Sequence, residues 1–392
     1  MHRNLAEAAA QVADSVFREG RVLDHELASA FGAHPKWGKR DRAFVAETVF
    51  EVVRWRRATA FLADCEETDT MTLCAAQWHR MGIEVPDWWR HGGANESDIV
   101  AREALLSTQP RAIRESIPDW LDELGVGELG DRWDAELVEL NRKPRVFLRA
   151  NTLRNTREEA MTWLAGHGVE TAPVEGLPDA LVLPEGKSLP KALRAEGRVE
   201  IQDAGSQRIA PLLRARPGEI VIDACCGAGG KTLHLAAILG NQGIIHAMDI
   251  EPRKLDELKR RAAVAGATCI RTSMADAGTV AALAGVADHL LIDAPCSGLG
   301  TLKRQPDLKW RLRPSQLDRV RNVQRELLAS YPSMLKTGGV LVYATCSVLP
   351  SENNEAVRRL VDSDAFECLE ELRISPSATG FDGFYAAALV KR

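Results

Sequence analysis

"EIVIDACCGAGGKTLHLAAILG", residues 219–240, opens as an unbroken apolar run and empties into glycines and small residues before a helical pattern begins. An apolar run without polar alternation reads as a strand buried on both faces. The helix after the turn is ended by Gly240. The unit recurs downstream. "GIIHAMDI" (243–250) is a second strand, followed by a charged helix to about Ala265. "HLLIDAPC" (289–296) and "GVLVYATC" (339–346) are two more, separated by a long helix over about 314–336, and "FYAAALV" (384–390) closes the set. This alternation predicts an α/β fold, a doubly wound parallel sheet covered by helices on both faces. Ligands of such sheets bind beyond the carboxyl ends of the strands. Cys225, Asp249, Asp293, Cys296 and Cys346 all fall at predicted strand ends.

The turn "DACCGAGGKT" (223–232) is rich in glycine, so its backbone can approach a ligand, and the N–H groups of the following helix favour an anionic or polar edge. Two familiar phosphate loops fail on spacing. A Walker A loop needs glycine five positions before Gly230, where Cys225 stands; a G-x-G-x-x-G fingerprint starting at Gly227 and Gly229 meets Thr at 232. A nucleoside-binding turn remains, with Asp249 placed to accept hydrogen bonds from ribose hydroxyls. The alternative is a tight turn that packs helix on sheet.

Ahead of this region the chain reads differently. Leu5, Ala9, Val12 and Val16 recur at helical spacing, and "RDRAFVAETVFEVVRWRRATAFL" (40–62) is amphipathic, so residues 1–64 are helical. Arg54, Arg56 and Arg57 on that segment read as a solvated face, with RNA contact as the alternative. Residues 65–112, with Trp78, Trp88 and Trp89 among polar and turn residues, do not follow the expected pattern of a helical domain, although 1–112 is read as one divergent helical domain. A new unit starts near "RESIPDWLDELG" (114–125), with Pro118 placed for a first helical turn. "PRVFLRANTLR" (144–154) follows as a strand and "NTREEAMTWLAGHG" (155–168) as a capped helix; short strands at 180–183 and 199–201 complete a small α/β module. The expected division is 1–112, 113–205 and 206–392.

The net charge of −5 argues against a protein that coats nucleic acid indiscriminately, but allows a local basic groove. Such a groove is offered by "LKRQPDLKWRLR" (302–313), where Lys303, Arg304, Lys309, Arg311 and Arg313 face one acid, Asp307. The eight cysteines, two of them adjacent, do not form a disulfide framework, and none has zinc-ligand spacing, so no metal is expected. No stretch approaches the roughly 20 apolar residues that span a bilayer. A cytoplasmic monomer is the expectation.

"IDAPCSG" (292–298), "YATCSV" (343–348), "GTLKRQPDLKW" (300–310), "PSENNEAV" (350–357), "FLRANTLR" and "IQDAGSQ" together resemble the Nop/Sun family of RNA cytosine-C5 methyltransferases, in its bacterial Sun/Fmu (RsmB-like) branch. The resemblance runs over about residues 114–392. It implies a Rossmann-like class I methyltransferase domain, a small RRM-like module before it and a NusB-like helical domain at the amino terminus. The last is matched chiefly by "KRDRAFVAETVFEVVRWRR" (39–57), and the match fades over 65–112.

The resemblance also implies a reaction. Cytosine C5 is too weak a nucleophile to take the methyl group of S-adenosylmethionine unaided, and a thiolate added to C6 makes the ring an enamine whose C5 can attack. An acid beside N3 must absorb developing charge, a role for Asp293. The Pro-Cys dipeptide of DNA cytosine methyltransferases favours Cys296 as the nucleophile. The RNA family instead uses the Thr-Cys-Ser cysteine, Cys346 here, and leaves Cys296 to assist product release. Cofactor contacts are implied for Cys225, Cys226, Gly227, Ala228, Gly229, Gly230, Lys231, Asp249, Asp276 and Asp293. Asp276 would lie near the adenine, or simply cap a helix. Lys303, Arg304, Lys309 and Arg311 would hold RNA phosphates. Ser351 could equally be a helix N-cap. The substrate implied is RNA, with 16S rRNA first; the rivals are tRNA, another rRNA site, and a ribosome-assembly factor that binds RNA without catalysis.

Overall fold

A computed structural model describes residues 1–89 and 95–392. The chain divides into two units, Met1–Arg142 with Leu302–Arg313, and Lys143–Thr301 with Pro314–Arg392. Residues 113–142, grouped in the sequence with the small α/β module, belong with the helices of the first unit.

The first unit is built on helices Arg3–Glu19, Leu23–Ala33, Lys39–Arg54, Arg56–Ala63 and Thr70–Arg80. Ala6, Ala9, Ala13 and Val16 of the first pack in one core with Val45, Val49 and Val52 of the third. Residues 65–112, which do not follow the expected helical pattern in sequence, contain the helices Thr70–Arg80 and Glu96–Leu106; residues 90–94 of that stretch lie outside the described residues. Trp78 and Trp89 are core residues whose indole N–H groups reach Thr48 Oγ1 at 2.8 Å and the Met71 carbonyl at 3.2 Å. Their polar neighbours in sequence hid a packing role.

The basic residues of this unit also differ from expectation. Arg54 is buried and donates to Glu51 and to the Arg142 and Lys303 carbonyls. Arg56 lies over the Phe17 and Trp310 rings and pairs with Glu67, while Arg57 pairs with Glu67 and Asp119. None of the three forms a solvated face.

The segment 302–313 is stapled to the helices it joins. Lys309, 1% exposed, donates from Nζ to the Arg54 carbonyl at 2.8 Å and to Asn141 Oδ1 at 3.0 Å. Trp310 Nε1 reaches the Val53 carbonyl at 2.7 Å. Those carbonyls end the helix Lys39–Arg54, where the last turn lacks intrahelical donors and a positive charge is favoured. Asp307 Oδ2 accepts from Leu23 N–H at 3.2 Å, the complementary arrangement at the start of helix Leu23–Ala33. Lys303, also buried, pairs with Glu139 at 2.6 Å, and Arg311 pairs with Asp307. The expectation that Lys303 and Lys309 hold phosphates is therefore corrected: both ammonium groups are inside the unit and bonded to it.

The second unit carries two sheets. Strands β1 (Phe147–Ala150), β2 (Ala172–Pro173), β3 (Ala180–Val182) and β4 (Val199–Ile201) form a small antiparallel sheet in the order β2-β3-β1-β4, beside the helix Arg157–Gly166. Thr156 and Glu159 close a capping box at the start of that helix. Strands β5 (Ile220–Asp223), β6 (Ile244–Asp249), β7 (Ile270–Met274), β8 (Ala287–Asp293), β9 (Leu335–Thr345), β10 (Phe366–Ile374) and β11 (Phe384–Lys391) form the large sheet, ordered β10-β11-β9-β8-β5-β6-β7. Strands β5 to β9 run parallel, whereas β11 is antiparallel to both neighbours, so the sheet is mixed rather than purely parallel. Successive residues feed opposite cores: Val221, Ile245, Leu291 and Val342 on one face, Ile222, Met248, Leu290, Ile292 and Leu341 on the other. Both faces are buried, which is why the strands read as continuous apolar runs.

Candidate active site at the strand ends

The loop after β5 is fixed by its neighbours. Cys226 N–H donates to the Met248 carbonyl at 2.9 Å. Gly229 has φ +90°, and a Cβ there would lie 2.2 Å from Leu258 Cδ1, so only glycine fits under the helix Pro252–Ala265. Two arginines hold the loop's carbonyls. Arg261 donates to Ala228 O at 2.6 Å while paired with Glu200, and Arg149 of β1 donates to Gly230 O at 3.0 Å. Arg149 stood in a quoted motif without a role, and nothing near Arg261 in sequence signals this contact.

Asp249 ends β6, buried, with one carboxylate oxygen accepting from Gly227 N–H and the other from Glu251 N–H, each at 2.9 Å. It thus shapes the loop as well as offering acceptors. The next residue, Ile250, is 69% exposed, and Met274, in register with Asp249 on β7, is 39% exposed. Sequence reasoning missed this pair of bare apolar side chains; Ile250 had stood only as the last residue of the second predicted strand. Asp276 caps the helix Ala277–Ala282 through Thr279 N–H at 2.8 Å and is exposed. The structure suits a nucleoside here: Gly227, at φ +53°, has open space where a Cβ would project, the acid stands beside it, and two apolar surfaces flank it. The Cys225 and Cys226 thiols are raised far above the ordinary range, chiefly by burial, so these two residues serve through backbone and packing.

The second half of the site sits at the ends of β8 and β9. These strands pair in parallel, with Asp293 opposite Ala344, and Ala294 N–H reaches the Ala344 carbonyl at 2.8 Å. This register brings Cys296 and Cys346, 50 residues apart in sequence, to an Sγ–Sγ separation of 3.3 Å. Cys296 is raised well above the usual thiol range by its contact with Cys346, by burial and by Glu352, which favours its protonated form; either sulfur can be the donor in the contact. Asp293 Oδ2 lies 2.6 Å from Lys231 Nζ. Burial works against the Lys231 charge, but Asp293, with smaller contributions from Cys346 and Asp223, more than offsets it and raises the group. Lys231, expected among the cofactor contacts, thus has its ammonium committed to Asp293.

Two further residues complete the floor. Asp223, 1% exposed, is pushed up to about 7 by burial, against a 2.7 Å hydrogen bond from Thr232 Oγ1. Gly300 packs so closely that its N–H donates to Cys346 O at 2.9 Å and its carbonyl accepts from Gly383 N–H at 2.8 Å. Ser351 does not cap the helix Asn354–Asp362; its hydroxyl takes a hydrogen bond from Arg321. Among the described residues no cluster of three or more metal-ligating side chains occurs, and no helix is long and apolar enough to cross a membrane.

Comparison with known proteins identifies the family. Residues 210–390 match the family model described as 16S rRNA methyltransferase RsmB/F, and residues 117–189 match the model of the RsmF/B-like ferredoxin-like domain. A probable ribosomal RNA small subunit methyltransferase B of Synechocystis is 35% identical over 301 residues, covering 70% of this chain and 67% of that protein. Ribosomal RNA small subunit methyltransferase B of Citrobacter koseri is 32% identical over 435 residues, covering 100% of this chain and 99% of that protein. The crystal structure of PH0851 shares the fold, with a TM-score of 0.80 at 23% identity and 98% of each chain covered.

Proposed function

We propose a reaction on this footing: the chain belongs to the RsmB/F family of 16S rRNA methyltransferases and methylates ribosomal RNA from S-adenosylmethionine, and its site is suited to carbon 5 of a cytosine. The observation that carries the cytosine reading is the pair of thiols 3.3 Å apart beside the Lys231–Asp293 ion pair. Binding RNA does not call for two such thiols.

S-adenosylmethionine, when bound, supplies an electrophilic methyl group; Cys225 to Lys231, Asp249, Asp276 and Asp293 would hold it, with Ile250 and Met274 beside the base. Cys346 gives its thiol proton to solvent and attacks cytosine C6; the S–C6 bond forms as the C5=C6 double bond opens, moving electron density to C5 and N3. N3 takes up a proton from the Lys231–Asp293 pair as charge builds on the ring, and the pair takes that proton back when the adduct breaks down. After transfer a base, water being the simplest, takes the C5 proton; the C5–H electrons restore the C5=C6 double bond as the S–C6 bond breaks, and Cys346 leaves with the S–C6 electron pair. Cys296, which holds a proton against Cys346, assists this release. Arg304 and Arg311 are the proposed phosphate contacts left in the 302–313 segment, and the helical unit, read from the sequence as NusB-like, is proposed to select the RNA.

The test uses labelled S-adenosylmethionine with 16S rRNA and small subunits. Cys346→Ala should lose turnover. Cys296→Ala should transfer methyl groups but accumulate an enzyme–RNA adduct that survives denaturant. An active Cys346→Ala enzyme would sink the assignment. Bisulfite mapping of RNA from cells with and without the protein identifies the nucleotide.

A further inference from the structure

We propose that Glu352 is a positioning residue: its single buried carboxylate sets the distance between the Cys296 and Cys346 thiols and thereby the rate of the chemical step. The inference rests on the roles given above to those two cysteines. Its ground is geometric. Glu352 ends the turn Pro350–Glu352 with no exposed surface. Its Oε2 accepts from the Ser297 hydroxyl and from the Ser347 hydroxyl, both at 2.5 Å. Its Oε1 accepts from Ser297 N–H at 2.8 Å and Gln324 Nε2 at 3.1 Å.

Ser297 follows Cys296 and Ser347 follows Cys346. One oxygen therefore ties together the two turns that carry the thiols, and the serine hydroxyls lie 3.2 Å apart, close to the 3.3 Å of the sulfurs. The carboxylate is itself held in place. Tyr343 donates to the Glu352 carbonyl at 2.8 Å, and the neighbouring Asn353 bridges Thr345 and the Ser347 carbonyl. Gln324 also donates to the Pro295 carbonyl at 2.9 Å, bracing the other turn.

A carboxylate offers about four acceptor sites, and four donors use them here. Glutamine has the same volume but only one acceptor oxygen, so Glu352→Gln must break contacts to one or both serines without opening a cavity. Reaction rates are steep in such distances: a displacement of about 1 Å costs on the order of a hundredfold. A carboxylate that only stabilised the fold would have no reason to spend three of its four hydrogen bonds on the residues following the two thiols.

The experiment measures thiol separation independently of methyl transfer. Full-length protein is treated with diamide, an azo oxidant that takes two electrons and two protons from the two thiols, leaving a disulfide and a hydrazine. Formation of the Cys296–Cys346 disulfide is followed by mass mapping of non-reduced peptides. The wild type should cross-link quickly, whereas Glu352→Gln and Ser297→Ala/Ser347→Ala should each do so roughly tenfold more slowly, the loss of about one hydrogen bond to a charged group. The triple variant should be no slower, because all three changes undo one device. In methyl transfer, kcat should fall roughly ten- to a hundredfold with KM for RNA and cofactor unchanged. Ser347→Ala alone, which removes only a hydroxyl, keeps the test available if Glu352→Gln does not fold. Wild-type cross-linking in folded Glu352→Gln overturns the proposal whatever its activity. So does slow cross-linking with full kcat. Slow cross-linking beside an active Cys346→Ala enzyme overturns the covalent mechanism instead and leaves the carboxylate's hold on the two turns standing.

Discussion

Replacing Lys309 with Met separates two roles that its charge alone allows. The ammonium donates to the Arg54 carbonyl at 2.8 Å and to Asn141 Oδ1 at 3.0 Å, inside the helical unit. Hydrogen bonds from a charged donor contribute about 1.5–3 kcal/mol each. Burial pushes the Lys309 pKa well below its ordinary value, with Arg54 adding to the effect, so losing the ammonium also relieves a desolvation cost. Methionine fills nearly the same volume, so little cavity cost is added. The net loss should be about 2–3 kcal/mol, a fall of roughly 4–12 °C in the unfolding midpoint of a unit this size. Calorimetry should show that fall in the transition of the helical unit. Filter binding to rRNA across a salt series should show an unchanged slope. The reasoning is refuted by an unshifted midpoint together with a salt slope lowered by about one, the signature of a lost phosphate contact.

Asp223 predicts a pH effect. Its folded pKa of about 7 lies above the ordinary carboxylate value of about 4, so the stability it permits is complete below pH about 4 and is lost as pH rises through 7. Asp223→Asn should match the wild type at pH 4 and exceed it at pH 8, by as much as about 4 kcal/mol in urea unfolding; parallel pH profiles would contradict this. Gly300→Ala would put a Cβ 2.1 Å from Gly383 O and 2.8 Å from Cys346 O, both backbone atoms. About 1–3 kcal/mol of stability should be lost through overpacking, with at least a tenfold fall in kcat; a variant as stable and active as the wild type would show that the backbones can move apart.

Much of the large sheet was legible because its central strands are buried on both faces and end abruptly in Asp or Cys. Strands β7 and β10 were not. Both lie at the sheet's edges, where "IRTSM" and "FECLEELRI" carry polar side chains to the surface and present neither an apolar run nor clean alternation. The two cysteines could be paired from sequence because adjacent parallel strands end together. The hold of Glu352 could not be, since an acid after Pro350 and Ser351 looks like the first turn of a helix. Lys303 and Lys309 were misread for a related reason. Their partners are 164 and 255 residues away in sequence, and composition does not say which lysines fold inward.

The 302–313 segment also sets an order of events during synthesis. The helical unit is closed by residues that leave the ribosome about 160 residues after Arg142. At about 5–20 residues per second this is a delay on the order of ten seconds or more. Until then the carbonyls at the end of helix Lys39–Arg54 lack Lys309 and Trp310, and the start of helix Leu23–Ala33 lacks Asp307. The amino-terminal part of this chain is made first and finished late. A nascent chain halted before residue 313 should therefore show a helical unit open to protease.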